Sequence, residues 1–125
     1  MGVNRFEDLR VWQLAKTFSD EIGSLIQQPA LQKDYAVCNQ LNAASLSTAA
    51  NLAEGFVRGG RKEFAQYVRI AAGSNAEARS FLHAAYGRRY LEKSEYDRLV
   101  EMTESVGRML RVLERRLREP STKTP

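Results

Sequence analysis

Proline placement constrains this chain more than any other feature. The three prolines stand at 29, 120 and 125, so nothing between Pro29 and Pro120 removes a backbone donor from a helix. β-branched residues never alternate over the length of a strand, while apolar residues recur at three- and four-residue intervals. The reading is all-α. A first segment over about Asp8 to Gln28 sets Val11, Leu14, Ala15, Phe18, Ile22, Leu25 and Ile26 within one arc about 120° wide, and Pro29 ends it. A second opens after Asp34, a good N-cap, and runs to about Phe56 with Val37, Leu41, Ala44, Ser45, Thr48 and Leu52 on its apolar face. Gly55 and then Gly59-Gly60 are expected to break it.

The third segment, about Arg61 to Tyr86, gathers Phe64, Tyr67, Val68, Ala71, Asn75, Ala78, Phe81, Leu82 and Ala85, with Gly87 as its stop. The fourth opens on Ser94-Glu95-Tyr96-Asp97, a capping-box spacing with Asp in place of Glu, and continues through Leu99, Val106, Leu110, Leu113 and Leu117. Four long helices with short connections describe an antiparallel up-down four-helix bundle over residues 1–119, followed by a frayed tail at 120–125. At 125 residues there is room for one core.

Composition narrows the chemistry. The chain has one cysteine, Cys38, and one histidine, His83, which excludes an internal disulfide and a cysteine-built zinc site. Glu54, Glu63 and Glu77 lack the Glu-x-x-His units of a di-iron bundle. Gly59-Gly60-Arg61-Lys62 follows a helix, not a strand, so it is no phosphate loop, and neither a GxSxG nor an HExxH motif occurs. No catalytic residue, metal ligand or cofactor is expected. The absence of a long apolar run or a signal-like N-terminus, with the free thiol, points to a cytoplasmic protein without a membrane role.

Two outer faces remain for function. On the second helix, Gln40, Ala43, Ser47, Ala50, Asn51 and Glu54 share an arc about 100° wide that is short-chained, amide-rich and nearly uncharged. A solvated face ordinarily carries Lys, Glu and Arg, so this one is read as an oligomer interface, with Trp12 as a possible addition at the edge of the first helix. The alternative is a simple alanine-rich surface.

The second face is basic. Residues 1–57 carry four cations against six carboxylates, while residues 58–125 carry 15 against nine, and arginine supplies 14 of the 19 cations. Arg108, Arg111, Arg115 and Arg118 form one stripe opposite the leucines of the last helix, and Arg58, Arg61 and Lys62 add charge at the glycine break. Such a stripe could follow the phosphates of RNA or DNA. It could equally be a solvated helix end whose cations suit the dipole.

The order of segments resembles a family. Phe6-Glu7-Asp8-Leu9-Arg10-Val11-Trp12-Gln13, Gln40-Leu41, Ala50-Asn51-Leu52-Ala53-Glu54-Gly55, Arg58 and Lys62-Glu63-Phe64 are similar to stretches of the bacterial four-helix-bundle family named for the 23S rRNA intervening-sequence protein. Ile70-Ala71-Ala72-Gly73-Ser74, Ala76-Glu77, Tyr90-Leu91 and Gly107-Arg108-Met109-Leu110 continue the likeness to about Leu117. The resemblance implies a homo-oligomer, a pentameric ring in the branch that includes the accessory protein of diversity-generating retroelements. It permits nucleic-acid binding and implies no catalysis. Departures are Asn42 and Ala43 where the family is commonly basic, Ala49 in place of a proline, and Asn75 and Arg79 at positions usually apolar and acidic. The expectation is a non-enzymatic oligomer that binds RNA or DNA; the alternative is a protein-interaction scaffold. A continuous basic surface favours the first and scattered, paired arginines favour the second.

Overall fold

The computed structural model describes residues 2–120; most of the expected tail, residues 121–125, lies outside them. A single 3-10 turn at Phe6–Asp8 leads into five helices: α1 (Arg10–Leu25), α2 (Pro29–Lys33), α3 (Tyr35–Arg58), α4 (Arg61–Gly87) and α5 (Lys93–Arg118). The expected four segments are all helical, and the fifth helix is a single extra one.

That extra helix corrects the role of Pro29. Pro29 does not end the first helix, which stops at Leu25, short of the expected Gln28; it starts the next, at a position where its missing N–H costs nothing. The Gln28 side chain accepts a hydrogen bond from the Leu31 amide at 2.8 Å and donates one to the Tyr90 carbonyl at 2.9 Å. Leu31 can therefore be buried completely.

Three further punctuation marks differ from the expectation. Gly55 does not break α3, which runs through it to Arg58. A Cβ at Gly55 would stand 2.5 Å from the Tyr67 Cβ, so this glycine exists to let α4 approach. Gly59, with φ +91°, ends the helix in the left-handed conformation. α4 ends at Gly87 as expected, but the left-handed position beyond it falls on Arg89 (φ 66°) and not on the glycine. Finally, Ser94 does not cap α5. The helix begins one residue earlier, after Glu92, with no side-chain cap. Lys93 holds the Asp97 carboxylate at 2.8 Å, which removes it from the capping box.

Two apolar clusters fill the interior. One joins Phe18, Ile22 and Leu25 of α1 to Leu41 of α3, Leu82 of α4 and Leu99 of α5. The other joins Val11 and Ala15 to Leu52, Val68, Val106 and Leu110. Where one cluster gives way to the other along α3, α4 and α5, the buried residues are polar: Ser45, Thr48, Asn75 and Thr103. Ser45, Thr48 and Thr103 donate to carbonyls three or four residues earlier, and the Asn75 amide donates to the Thr103 carbonyl at 2.8 Å. The belt is thus satisfied internally, and Asn75 occupies its apolar-face position by binding α4 to α5. Cys38 is buried in the first cluster. Among the described residues no helix is long and apolar enough to cross a membrane.

Candidate oligomer and nucleic-acid surfaces

From Tyr35 through Ala53 the sequence of α3 contains no Asp, Glu, Lys, Arg or His. Its core-facing side is taken by Val37, Leu41, Ala44, Thr48 and Leu52. The opposite side carries Ala36, Asn39, Ala43, Leu46, Ala50, Ala53 and Val57, which alternate three and four residues apart. That is the spacing of a helix seam made for another helix. Leu46 is 54% exposed and Val57 72%. Ile70 of α4 is 51% exposed, and Tyr35 at the start of α3 is 74% exposed. Single exposed apolar residues are ordinary, but several on one uncharged seam are not.

The structure divides the expected interface residues. Ala43 and Ala50 lie on the seam and Gln40 is exposed beside it. Ser47 and Asn51 are half-buried on the flank towards α4, and Glu54 is exposed beside them. The Ser47 and Ser74 hydroxyls share a hydrogen bond of 2.9 Å. The Asn51 amide donates to Ser47, and the Tyr67 hydroxyl donates to Glu54 at 3.2 Å. These three side chains work inside their own chain. So does Trp12, half-buried and packed edge-to-face on Phe6 with ring centroids 5.2 Å apart. Leu46, Ala53 and Val57 were absent from the expected set, although their alternating spacing was available in the sequence.

The expected cations divide too. Arg58 bridges Glu54 at 2.9 Å and Glu63 at 3.3 Å and lies over the Tyr67 ring; the Glu54 carboxylate hydrogen-bonded to it holds the guanidinium above its usual pKa. Arg61 donates to the Arg116 carbonyl at 2.6 Å and so serves the C-terminal end of α5. Arg118 pairs with Glu114 at 2.9 Å. Arg108 reaches the Ser105 hydroxyl at 3.1 Å and no carboxylate. Among the described residues, Lys62, Arg111 and Arg115 have no ion-pair partner, and all three are exposed. Among the described residues, cations without an ion pair thus occur at the glycine break (Lys62) and elsewhere (Arg10, Lys33, Arg69, Arg89), but they are densest on the C-terminal half of α5. Arg79 and Arg116, absent from the expected set, are further cations with no carboxylate partner there.

Other polar groups are occupied. His83 shares a 2.6 Å hydrogen bond through Nδ1 with the Tyr96 hydroxyl, and Tyr96 stacks on Tyr86 at 4.1 Å. Among the described residues no group of three or more His, Cys, Asp and Glu could hold a metal ion.

A family model described as "23S rRNA-intervening sequence protein" matches residues 7–112. No curated protein matches the sequence. The fold is similar to the crystal structure of a protein of unknown function from the S23 ribosomal protein family of Bacteroides thetaiotaomicron VPI-5482. The two share a TM-score of 0.77 and 18% identity over 84% of this chain and 95% of that one. At that identity the likeness concerns the fold alone.

Proposed function

Since the chain belongs to the 23S rRNA-intervening sequence protein family, we propose that it acts without catalysis, as an antiparallel helical bundle that assembles with copies of itself into a pentameric ring and binds nucleic acid weakly. The working unit is residues 1–119 and its setting the cytoplasm. The observation that carries the reading is the uncharged seam of α3. Leu46 and Val57 are more than half exposed on a face that supplies no charge to keep water. A second copy would remove that surface from water at about 25 cal/mol per Å², and the small residues between them let backbones approach closely.

The nucleic-acid part rests on Arg108, Arg111 and Arg115, whose charge no carboxylate of the chain neutralises among the described residues. One copy offers few phosphate contacts, and a ring multiplies them. The competing scaffold reading draws on Arg58, Arg61 and Arg118, which are all engaged inside the chain. A place beside a reverse transcriptase, as for the retroelement accessory proteins, is the most specific setting this reading allows. Neighbouring genes would reveal it.

Light scattering coupled to size exclusion tests the assembly. The expected mass at micromolar concentration is five times 14.1 kDa. A mass of one copy overturns the reading.

A further inference from the structure

One surface cleft beside the arginine stripe gathers three arginines over a floor of small residues. It lies between α4 and α5 and encloses about 340 Å³. Ala72 and Ala76 from α4 and Gly107 from α5 give it a floor of small side chains, and Arg79, Arg108 and Arg111 stand around it. Glu104 is the one carboxylate on its lip. It forms no ion pair with any of the three arginines, so the cleft holds three positive charges against one negative.

Some arginines elsewhere in the molecule are answered by carboxylates, while others, such as Arg10, Arg69 and Arg89, form no ion pair among the described residues. Arg88 meets Asp34, Arg98 meets Glu21 and Arg118 meets Glu114. In the cleft, among the described residues, Arg79 and Arg111 make no side-chain hydrogen bond, and Arg108 makes one, to a hydroxyl. Each guanidinium carries five donors. Three of them lining one cleft from two helices, with nearly all of those donors unspent, need an anion of high charge density, or water, to offset their mutual repulsion.

Gly107 lies at the bottom of the cleft, between Asn75 and Arg111. A Cβ there would stand 3.4 Å from the Asn75 amide nitrogen and 3.7 Å from a terminal nitrogen of Arg111. The Arg111 guanidinium thus lies across the bare backbone of α5. Asn75 below is 4% exposed and fixed to the Thr103 carbonyl, so the floor is rigid.

We propose that this cleft is a binding site for a phosphate group, held between Arg79 of α4 and Arg108 and Arg111 of α5. Guanidinium forks match the oxygens of phosphate in a way that a single lysine charge does not. Three forks around a tetrahedral anion suit the three free oxygens of a phosphate monoester, and two of them suffice for the two free oxygens of a phosphodiester. The phosphate arrives on a small nucleotide or as part of a nucleic acid; in the second case the site rests on the nucleic-acid reading above and supplies its anchor. Arg79 distinguishes the site from the stripe, because it comes from a different helix.

Calorimetric titration with inorganic pyrophosphate, with ATP, and with a single-stranded oligonucleotide tests it on the full chain at low salt. Arg79→Gln and Arg111→Gln should each weaken pyrophosphate binding about tenfold or more, with helicity unchanged by circular dichroism. Arg79→Lys should restore part of the loss, since it returns the charge without the fork. Arg115→Gln, on the stripe but outside the cleft, should leave pyrophosphate binding as it is and weaken only the oligonucleotide. Binding of pyrophosphate or ATP that depends on Arg79, with no oligonucleotide bound, keeps the site and removes the nucleic-acid reading. Oligonucleotide binding that ignores Arg79, with no pyrophosphate bound, keeps the stripe and overturns the site. No binding of any probe overturns both.

Discussion

Along α3 the outward seam runs from Ala36 to Val57 without a charged side chain, whereas along α5 the residues from Arg108 to Arg118 include five arginines and one glutamate. Both helices bury a comparable apolar stripe in the same core. The difference therefore owes nothing to folding and is confined to what each helix offers outward. A chain that needed only solubility would spread its charge over both faces. Concentrating charge on one and removing it from the other gives one surface that repels copies of itself and one that does not. It also divides α5 internally, since its first half carries Glu95, Asp97, Glu101 and Glu104 against Lys93 and Arg98.

The strongest way to break the comparison is to charge the bare face. Arg at both Ala43 and Ala50 places two long cations on the proposed seam, where contact with a second copy would crowd them and strip their water. The expected result is an assembly reduced to single copies with helicity retained, read by light scattering. An unchanged mass would show that the copies meet elsewhere.

The reciprocal change reverses the charged face. Arg111→Glu with Arg115→Glu should abolish binding of RNA and DNA at low salt and leave the oligomer mass alone, because neither residue lies on the seam. In the wild type the slope of log affinity against log salt should be about −0.9 for each phosphate contacted on a duplex. Replacing the paired cations Arg58 and Arg118 by Ala, or Lys16 by Glu, should do little. If those substitutions weaken binding as much as the stripe does, the division between engaged and free arginines is wrong.

Much of this was legible in the sequence and some was not, for reasons that lie in particular residues. The helices follow from periodicity, and the apolar face of α3 was placed on the residues that are in fact buried. Single-helix geometry cannot say which flank a neighbouring helix covers. The small-residue arc therefore includes Ser47 and Asn51, which are half-buried towards α4, together with the exposed Gln40, Ala43 and Ala50, and it leaves out the exposed Leu46 and Val57. Gly55 looked like a breaker because its purpose, the close approach of Tyr67, exists only in the packed pair. Arg79 and Arg108 belong to one cleft that no spacing along either helix announces. The capping-box spacing at Ser94 does not show that Lys93 competes for the Asp97 carboxylate.

Gly55 itself provides the next largest effect. Gly55→Ala puts a methyl group where the Tyr67 Cβ already stands, 2.5 Å away, so α3 and α4 must separate. Overpacking of this kind costs about 1–3 kcal/mol, while the better helix propensity of Ala returns at most about 1 kcal/mol. The urea midpoint should fall. Because the seam is on the other side of α3, a small separation should leave the oligomer mass unchanged, which distinguishes damage inside one copy from damage between copies.

The smallest effect concerns Asp34, the last charged residue before the bare stretch of α3. Its carboxylate accepts from Arg88 at 2.6 Å and from the Tyr90 hydroxyl at 2.8 Å, and a weaker bond from the Val37 amide caps the helix. The Arg88 guanidinium first, and then Tyr90, hold its pKa below the usual carboxylate value. A group whose pKa is lowered by folding stabilises the fold above its unfolded value and loses that contribution as pH falls through the folded one. The wild type should thus lose stability as the pH drops below the ordinary aspartate range, and Asp34→Asn should flatten that part of the profile while lowering stability at neutral pH. Thermal melts from neutral to strongly acidic pH measure both. The shift should be modest, because Arg88 is more than half exposed and water screens the pair. Parallel profiles for the wild type and Asp34→Asn would mean that the cluster holds the α4–α5 connection in place without contributing a titrating charge. The start of α3 would then depend on the Val37 cap alone.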